Sequence, residues 1–175
     1  MTTTYIDDDQ LEIVLALLTE PNRLACQLAI HTGLRIGDVL ALRTDQLKPR
    51  LTVREAKTGK SRRVTIPAQL LRNIQAQAGE TWAFPGRDPA KHRTRQAVWA
   101  DVKRAQKALR LDHNIGPHSL RKTYAVRKYR STGDLGKVRQ LLNHDRDATT
   151  IIYALADHLT QQRKKEGVRK RSRPR

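Results

Sequence analysis

One short segment, residues 51–66, departs from the helical spacing of apolar residues that governs most of this sequence. Within it Leu51 and Val53 alternate with polar residues, and Val64 and Ile66 do the same near the end of the segment. Thr58-Gly59 lies between these two parts. Alternation is typical of a half-buried strand, and a glycine in a short polar link is typical of a turn. The segment therefore predicts an antiparallel β-hairpin that carries Lys57 at or near its tip.

The rest of the chain predicts helices. An acidic run at 7–9 precedes apolar residues that are spaced to share one helix face. Pro21 can begin the next helix, and Gly33 can end it in the left-handed conformation. Residues 82–85 predict a short strand or an apolar plug. Further helices are predicted over about 35–43, 67–78, 94–109, 117–133, 135–142 and 146–159. The fold class is therefore mainly α with a small antiparallel β-hairpin (α+β).

Length and charge indicate one basic domain. The 175 residues favour a single globular unit, which we place at 1–162, followed by a tail at 163–175 that holds eight Lys or Arg residues and one Glu. Lys and Arg number 35 against 17 Asp and Glu, a formal net charge of +18. This excess predicts a polyanionic partner, nucleic acid first. Because only 4% of the residues are aromatic, we expect contacts with the phosphate backbone rather than rows of stacked bases.

The sequence also bears on the compartment. Cys26 is the only cysteine, so the chain can form no internal disulfide, and a reducing cytosol is expected. The acidic run at 7–9 is the opposite of the basic region that begins a signal peptide. No stretch approaches the roughly 18–20 apolar residues of a membrane-spanning helix. We therefore predict a cytoplasmic protein, associated with nucleoid or viral DNA and without a membrane partner.

Six polar residues form the candidate site, because together their side chains could hold one phosphodiester group and attack it. Two arginines can bind the non-bridging oxygens of a phosphate through charge-assisted hydrogen bonds. Lysine and histidine can move protons, and a tyrosine can form a covalent bond. The six are Arg35, Lys57, His118, Arg121, His144 and Tyr153.

Ordinary structural roles compete with this interpretation. Arg35 stands three positions before Asp38 and could simply pair with it, or Asp38 could orient the arginine toward a phosphate. Lys57 could be a solvated turn residue. His144 could end a helix by satisfying local carbonyls, and Tyr153 could be a core ring among apolar neighbours.

His118 and Arg121 stand three positions apart, hence on one face of the predicted helix. They could face solvent, or they could lie in the first turn, where backbone N–H groups and the helix dipole favour an anion. A metal site made of His113, His118 and His144 is conceivable, but the sequence has no close pair or carboxylate cluster to complete it. We therefore do not expect a metal site.

Taken together, the local contexts of these residues resemble the catalytic domain of the tyrosine recombinase, or phage integrase, family. The pattern covers nearly the whole chain, and five matches in the same order are far more specific than any one. The matching segments are TGLRIGDVLAL with Arg35, AKTGKSRRVTIP with Lys57, HSLRKTYA with His118 and Arg121, LLNH with His144, and Tyr153 nine residues later.

This resemblance implies the tyrosine recombinase catalytic-domain fold and site-specific recombination of DNA through a 3′-phosphotyrosine intermediate. The adduct would keep the energy of the broken bond, so no ATP would be required. Two arginines and a lysine would supply the positive charge, so the resemblance implies no metal or other cofactor. The implied roles are a phosphate clamp for Arg35 and Arg121, protonation of the leaving 5′ oxygen for Lys57, assistance to proton transfer for His118, a hydrogen bond to the phosphate for His144, and the nucleophile for Tyr153.

The implied partners are double-stranded DNA and further copies of the chain, since the family acts as a homo-tetramer on paired DNA sites. The C-terminal segment 154–175 could pack on a neighbouring copy, and accessory DNA-bending proteins are a further option. Two other functions stay open. One is DNA relaxation of the type IB topoisomerase kind, and the other is a non-enzymatic DNA-binding or architectural role.

Two departures from the family pattern stand out. Asn143 replaces the glycine that commonly precedes the second histidine, and asparagine tolerates a left-handed backbone well enough to substitute. Residues 4–18 resemble the start of the catalytic domain, so we expect the N-terminal DNA-clamping domain of most relatives to be absent. Such a chain would be an isolated domain, a truncated product or a short recombinase of the fimbrial-inversion kind, with weak and steeply salt-dependent DNA binding.

Overall fold

A computed structural model describes residue 6, residues 8–112 and residues 114–142 of the chain. The predicted fold class, mainly α with one small antiparallel hairpin, is confirmed, whereas the predicted helix at 146–159 lies outside the described residues. None of the helices in the described ranges is long and apolar enough to cross a membrane. The elements are α1 (Asp8–Ala16), α2 (Glu20–Thr32), α3 (Ile36–Leu40), a 3-10 turn (Thr44–Gln46), β1 (Arg50–Arg54), β2 (Ser61–Thr65), α4 (Ala68–Gln77), α5 (Arg95–Ala108), α6 (Pro117–Thr132) and α7 (Leu135–Leu141).

Two compact units divide the chain, with the boundary after Tyr124 inside α6. Helix α2 is the centre of the first unit, because it packs against α1, α3, α4 and α5. A helix surrounded on several sides must be apolar on several faces, and Leu24, Ala25, Cys26 and Leu28 are all buried. Burial, and secondarily the charge of Asp101, raises the pKa of the Cys26 thiol to about 12. The thiol therefore stays protonated at neutral pH, as part of the core.

The predicted hairpin is present in the first unit. Leu51 pairs with Val64 across β1 and β2, and both side chains are buried while their strand neighbours are more exposed. The turn between the strands contains Lys57, as predicted, and Gly59 adopts the left-handed conformation there with φ of 66°. The Gly59 N–H donates to the Glu55 carbonyl at 2.8 Å. The turn is thus closed by its own backbone.

Helix α3 is shorter than the predicted helix over 35–43. After Leu40 the chain extends so that residues 42–44 can pair with 81–83: the Ala83 N–H donates to the Leu42 carbonyl at 2.9 Å, and the Thr44 N–H donates to the Thr81 carbonyl at 3.0 Å. These hydrogen bonds replace the last turn of the predicted helix. Residues 82–85 act as both bridge and plug, because Ala83 and Phe84 are fully buried.

The second unit is described up to residue 142. It contains the end of α6, a turn at Gly133 and α7. The Gly133 N–H donates to the Tyr129 carbonyl at 2.7 Å, and Asp134 caps α7 by accepting from the Lys137 N–H at 3.0 Å. Both hydrogen bonds join residues that are three or four positions apart in the sequence, so these helix boundaries agree with the sequence prediction.

A buried carboxylate joins α5 to the start of α2 in the first unit. Asp101 Oδ2 accepts from the Thr19 N–H and the Thr19 hydroxyl at 2.8 Å each, and from Asn22 Nδ2 at 2.8 Å. Asp101 Oδ1 accepts from Arg104 Nη2 at 2.6 Å. Burial alone would raise the pKa of Asp101, but the hydrogen bonds from Asn22, Arg104 and Thr19 outweigh it and lower the pKa to about 2. The ionised carboxylate therefore stabilises the packing of α5 against the start of α2.

We predict that this carboxylate makes folding stability depend on acid. A folded-state pKa of about 2, against an ordinary value of 3.8, means that its contribution is present above about pH 4 and is lost as the pH falls toward 2. The free energy of unfolding of Asp101→Asn, measured by urea unfolding, should lie about 2 kcal/mol below that of the wild type at pH 7. The exposed Asp45→Asn is the control and should change little. A wild-type to Asp101→Asn difference that stays constant down to pH 2 would contradict the assignment.

Candidate active site

Gly33 sets the backbone turn between α2 and Arg35. It ends α2 in the left-handed conformation with φ of 68°, and its N–H donates to the Ala29 carbonyl at 2.8 Å. A Cβ at this position would lie 2.5 Å from ring atoms of Tyr124, closer than carbon atoms approach. Only glycine meets both conditions. Arg35 follows as the N-terminal cap residue of α3 rather than as its first helical residue.

The Arg35 guanidinium is held by a carboxylate that sequence reasoning missed. Arg35 Nη1 lies 2.6 Å from Glu55 Oε2, and the exposed fractions of the two side chains are 14% and 0%. Asp38, which we expected either to pair with Arg35 or to orient it, instead accepts a hydrogen bond from the Ala56 N–H, which lies 3.0 Å from its Oδ1. Glu55 therefore orients the arginine, while Asp38 fixes the residue next to Lys57.

Arg62 is the second arginine on Glu55. Its Nη1 lies 3.7 Å from Glu55 Oε1, and its guanidinium donates to the carbonyls of Thr32 and Gly33 at the end of α2. The same guanidinium stacks over the Tyr124 ring, 5.7 Å from its centroid. Arg62 thus connects β2, α2 and α6.

Helix α6 carries the predicted His118 and Arg121 in its first two turns. The helix start is closed by the Ser119 N–H, which donates to the Gly116 carbonyl at 2.8 Å. His118 is exposed, whereas Arg121 is only 2% exposed. Burial also lowers the pKa of the neighbouring Lys122. An arginine this buried requires anionic or hydrogen-bonding partners.

One cleft of about 690 Å³ in the first unit collects four of the six predicted residues. Its lining includes Arg35, Lys57, His118 and Arg121, which come from α3, the hairpin turn and α6. The other two, His144 and Tyr153, lie outside the described residues. Because the four come from three separated parts of the sequence, their convergence is a property of the fold.

The cleft has further basic lining that the sequence reading missed. His92 and Arg95 also line it, and Asp38 is the one acidic residue among the lining residues in the described part of the chain. The His92 ring packs edge-on against Trp82 with the centroids 5.2 Å apart, and its Nδ1 lies 2.8 Å from the Arg93 carbonyl. The surplus of cationic groups makes the cleft suitable for an anion such as a phosphodiester.

The metal alternative gains no support from the described residues, among which no three His, Cys, Asp or Glu side chains form a group that could hold a metal ion. His113 and His144, two members of the considered set, lie outside the described residues. The third, His118, stands in the cationic cleft.

Comparison of the fold with solved structures gives the class of protein. The structure of XerH site-specific recombinase bound to palindromic difH substrate, a post-cleavage complex, matches with a TM-score of 0.72 at 21% sequence identity over 96% of this chain and 53% of that one. The fold is that of a tyrosine recombinase catalytic domain. The model of the Phage integrase family matches residues 4–160, and the chain belongs to this family.

Curated relatives agree with this assignment. A tyrosine recombinase of Thermosipho africanus is 27% identical over 177 residues, which covers 95% of this chain and 61% of the relative. The tyrosine recombinase XerD of Lacticaseibacillus casei is 29% identical over 153 residues, which covers 81% of this chain and 51% of the relative. The chain thus spans between half and two thirds of the length of these relatives.

The close approach at Gly33 gives a prediction with a matched control. Gly33→Ala should lower the free energy of unfolding by about 2–4 kcal/mol, because the left-handed backbone disfavours alanine and the new methyl group would overlap the Tyr124 ring. Gly133→Ala meets the same unfavourable left-handed backbone, with φ of 66°, but none of the described residues lies within 4 Å of its new Cβ, so it should lose only about 1 kcal/mol. Equal losses in urea unfolding would show that the Tyr124 contact is not what requires glycine at 33.

Proposed function

We propose that this chain is the catalytic domain of a site-specific DNA recombinase that cuts and rejoins double-stranded DNA through a 3′-phosphotyrosine intermediate. The observation that carries the proposal is the convergence of Arg35, Lys57, His118 and Arg121 on one cleft. Membership of the Phage integrase family and relatives named tyrosine recombinases support it. We propose residues 1–162 as the domain and 163–175 as its basic tail.

The two arginines are proposed to bind the scissile phosphate. A phosphodiester has two non-bridging oxygens and one negative charge, which grows in the pentavalent transition state. Arg35 and Arg121 are both largely buried, so their charges are poorly screened by water and act strongly on a phosphate in the cleft. A guanidinium that is already oriented, as Arg35 is by Glu55, reorganises little when the charge develops.

Proton movement is proposed for the other groups. Tyr153 Oη attacks phosphorus while the bond from phosphorus to the 5′ oxygen breaks, and Lys57 donates the proton that the leaving 5′ oxygen needs. Lys57 is exposed in the hairpin turn, where it can reach over bound DNA. His118 assists the removal of the tyrosine proton, and His144 donates a hydrogen bond to the phosphate. The 5′ hydroxyl of a partner strand then attacks the phosphotyrosine and releases Tyr153.

The partners follow from the same chemistry. A net charge of +18 and a cationic cleft favour double-stranded DNA, and an affinity based on phosphate contacts falls steeply with added salt. Exchange of strands between two sites requires four active sites, so we propose a homo-tetramer on paired DNA sites. The basic tail adds to the electrostatic attraction.

The covalent step gives the direct test. The protein is incubated with a nicked DNA substrate from which the 5′ hydroxyl fragment diffuses away, and denaturing gels are used to find a protein–DNA adduct. The wild type should form the adduct, and Tyr153→Phe should reduce it below detection while binding DNA with unchanged affinity, because only the nucleophilic oxygen is removed. Tyr129→Phe, in α6, is the matched control and should form the adduct normally.

Each alternative function predicts another outcome of this assay. A wild-type protein that binds DNA and forms no adduct would contradict the proposal and favour a non-enzymatic DNA-binding role. A protein that forms the adduct and relaxes a supercoiled plasmid in a parallel reaction, but never joins a second strand, would favour activity of the topoisomerase kind.

A further inference from the structure

Glu55 is a buried carboxylate that the proposed reaction does not use. Its side chain is fully buried and contacts two cations, Arg35 Nη1 at 2.6 Å and Arg62 Nη1 at 3.7 Å. A carboxylate without access to water must be compensated by nearby positive charge and hydrogen bonds. The position of the Glu55 carboxylate therefore depends on both arginines, and the positions of the two guanidinium groups depend on the carboxylate.

We infer that Glu55 is a positioning residue that couples the phosphate-binding Arg35 to the hairpin turn that carries Lys57. The inference rests on the proposed function, since it concerns how the phosphate clamp and the proton donor keep their relative geometry. Glu55 does not touch the reacting atoms; it acts through Arg35 and Lys57, which do.

The first connection is to the turn. The Glu55 N–H donates to the Lys60 carbonyl at 3.0 Å, and the Glu55 carbonyl accepts from the Gly59 N–H at 2.8 Å. Its side chain also accepts from the Thr58 hydroxyl at 3.4 Å. Lys57 lies inside this closed turn, two residues from Glu55. A carboxylate that moves would therefore shift the backbone from which Lys57 projects.

The second connection is to the end of α2. Arg62 links the Glu55 carboxylate to the carbonyls of Thr32 and Gly33. Arg35 is only two residues further along the chain than Gly33. The hairpin and the segment that carries Arg35 are thus tied twice, once through Arg35 itself and once through Arg62. A single carboxylate shared by two arginines also leaves the group with one positive charge in excess, so that Arg35 keeps its attraction for a phosphate.

Cleavage of substrates with two different leaving groups distinguishes a residue that positions Lys57 from one that only stabilises the fold. A DNA substrate with sulfur in place of the bridging 5′ oxygen releases a thiolate, which needs no proton donor. Lys57→Met should therefore slow cleavage of ordinary DNA strongly and of the 5′-thio substrate much less. The ratio of the two cleavage rate constants, measured with saturating protein, reports how well the donor is placed. A variant that only unfolds part of the protein lowers both rates equally.

We expect Glu55→Gln to slow cleavage of ordinary DNA by about 100-fold, as a misplacement of about 1 Å can. Its effect on the 5′-thio substrate should be about tenfold smaller, because the thiolate compensates for the misplaced Lys57 but not for the misplaced Arg35. Arg62→Lys, which keeps the charge but loses the planar fork that reaches both carbonyls and the carboxylate, should shift the ratio in the same direction. It decides the question if Glu55→Gln does not fold.

Asp101→Asn is the matched control. It removes another buried carboxylate that stabilises the fold but contacts α2 and α5 rather than Arg35 or the hairpin, so its ratio should equal that of the wild type. Equal slowing of both substrates by Glu55→Gln or, failing that variant, by Arg62→Lys would overturn the inference, as would unchanged rates. A wild type that cleaves neither substrate would overturn the proposed function and the inference with it.

Discussion

The ion pair between Arg35 and Glu55 is the interaction on which the candidate site depends. Its two atoms are 2.6 Å apart and the carboxylate has no access to solvent. Loss of one partner from such a buried pair typically costs about 3–5 kcal/mol, because the remaining charge is left uncompensated. The pair also joins parts of the chain that are 20 residues apart. It therefore fixes where the hairpin lies relative to the start of α3.

Acidic residues are scarce in this basic protein, and three buried ones hold junctions of the first unit. Glu55 joins Arg35 and Arg62, Asp38 holds the backbone at Ala56, and Asp101 ties α5 to the start of α2. Their negative charges are thereby used inside the fold. Asp38 is the one acidic lining residue in the described part of the chain, so arginine and lysine dominate the charge of the cleft and can attract a polyanion.

Local patterns predicted most of the described elements and four residues of the cleft, whereas the contacts that organise them and the lining residues His92 and Arg95 were missed. Alternation around Leu51 gave the hairpin, and Gly33 gave the end of α2. Arg62 and Glu55 were missed because their contacts cross 20 to 30 residues of sequence, a separation that carries no periodic signal. The same reason explains the early end of α3, because residues 42–44, which follow it, pair with residues 81–83. Tyr153 and His144 stay predictions.

The most direct measurement is a crystal structure of Tyr153→Phe bound to a DNA duplex that contains its cleavage site. The account predicts that Arg35 and Arg121 each donate hydrogen bonds to non-bridging oxygens of the same phosphate, with the Lys57 amine within hydrogen-bond distance of its 5′ oxygen and Glu55 still bound to Arg35. Arginines that contact different phosphates, or a Lys57 amine that points away from the 5′ oxygen, would contradict the central claim that the fold assembles one phosphodiester site from separated segments.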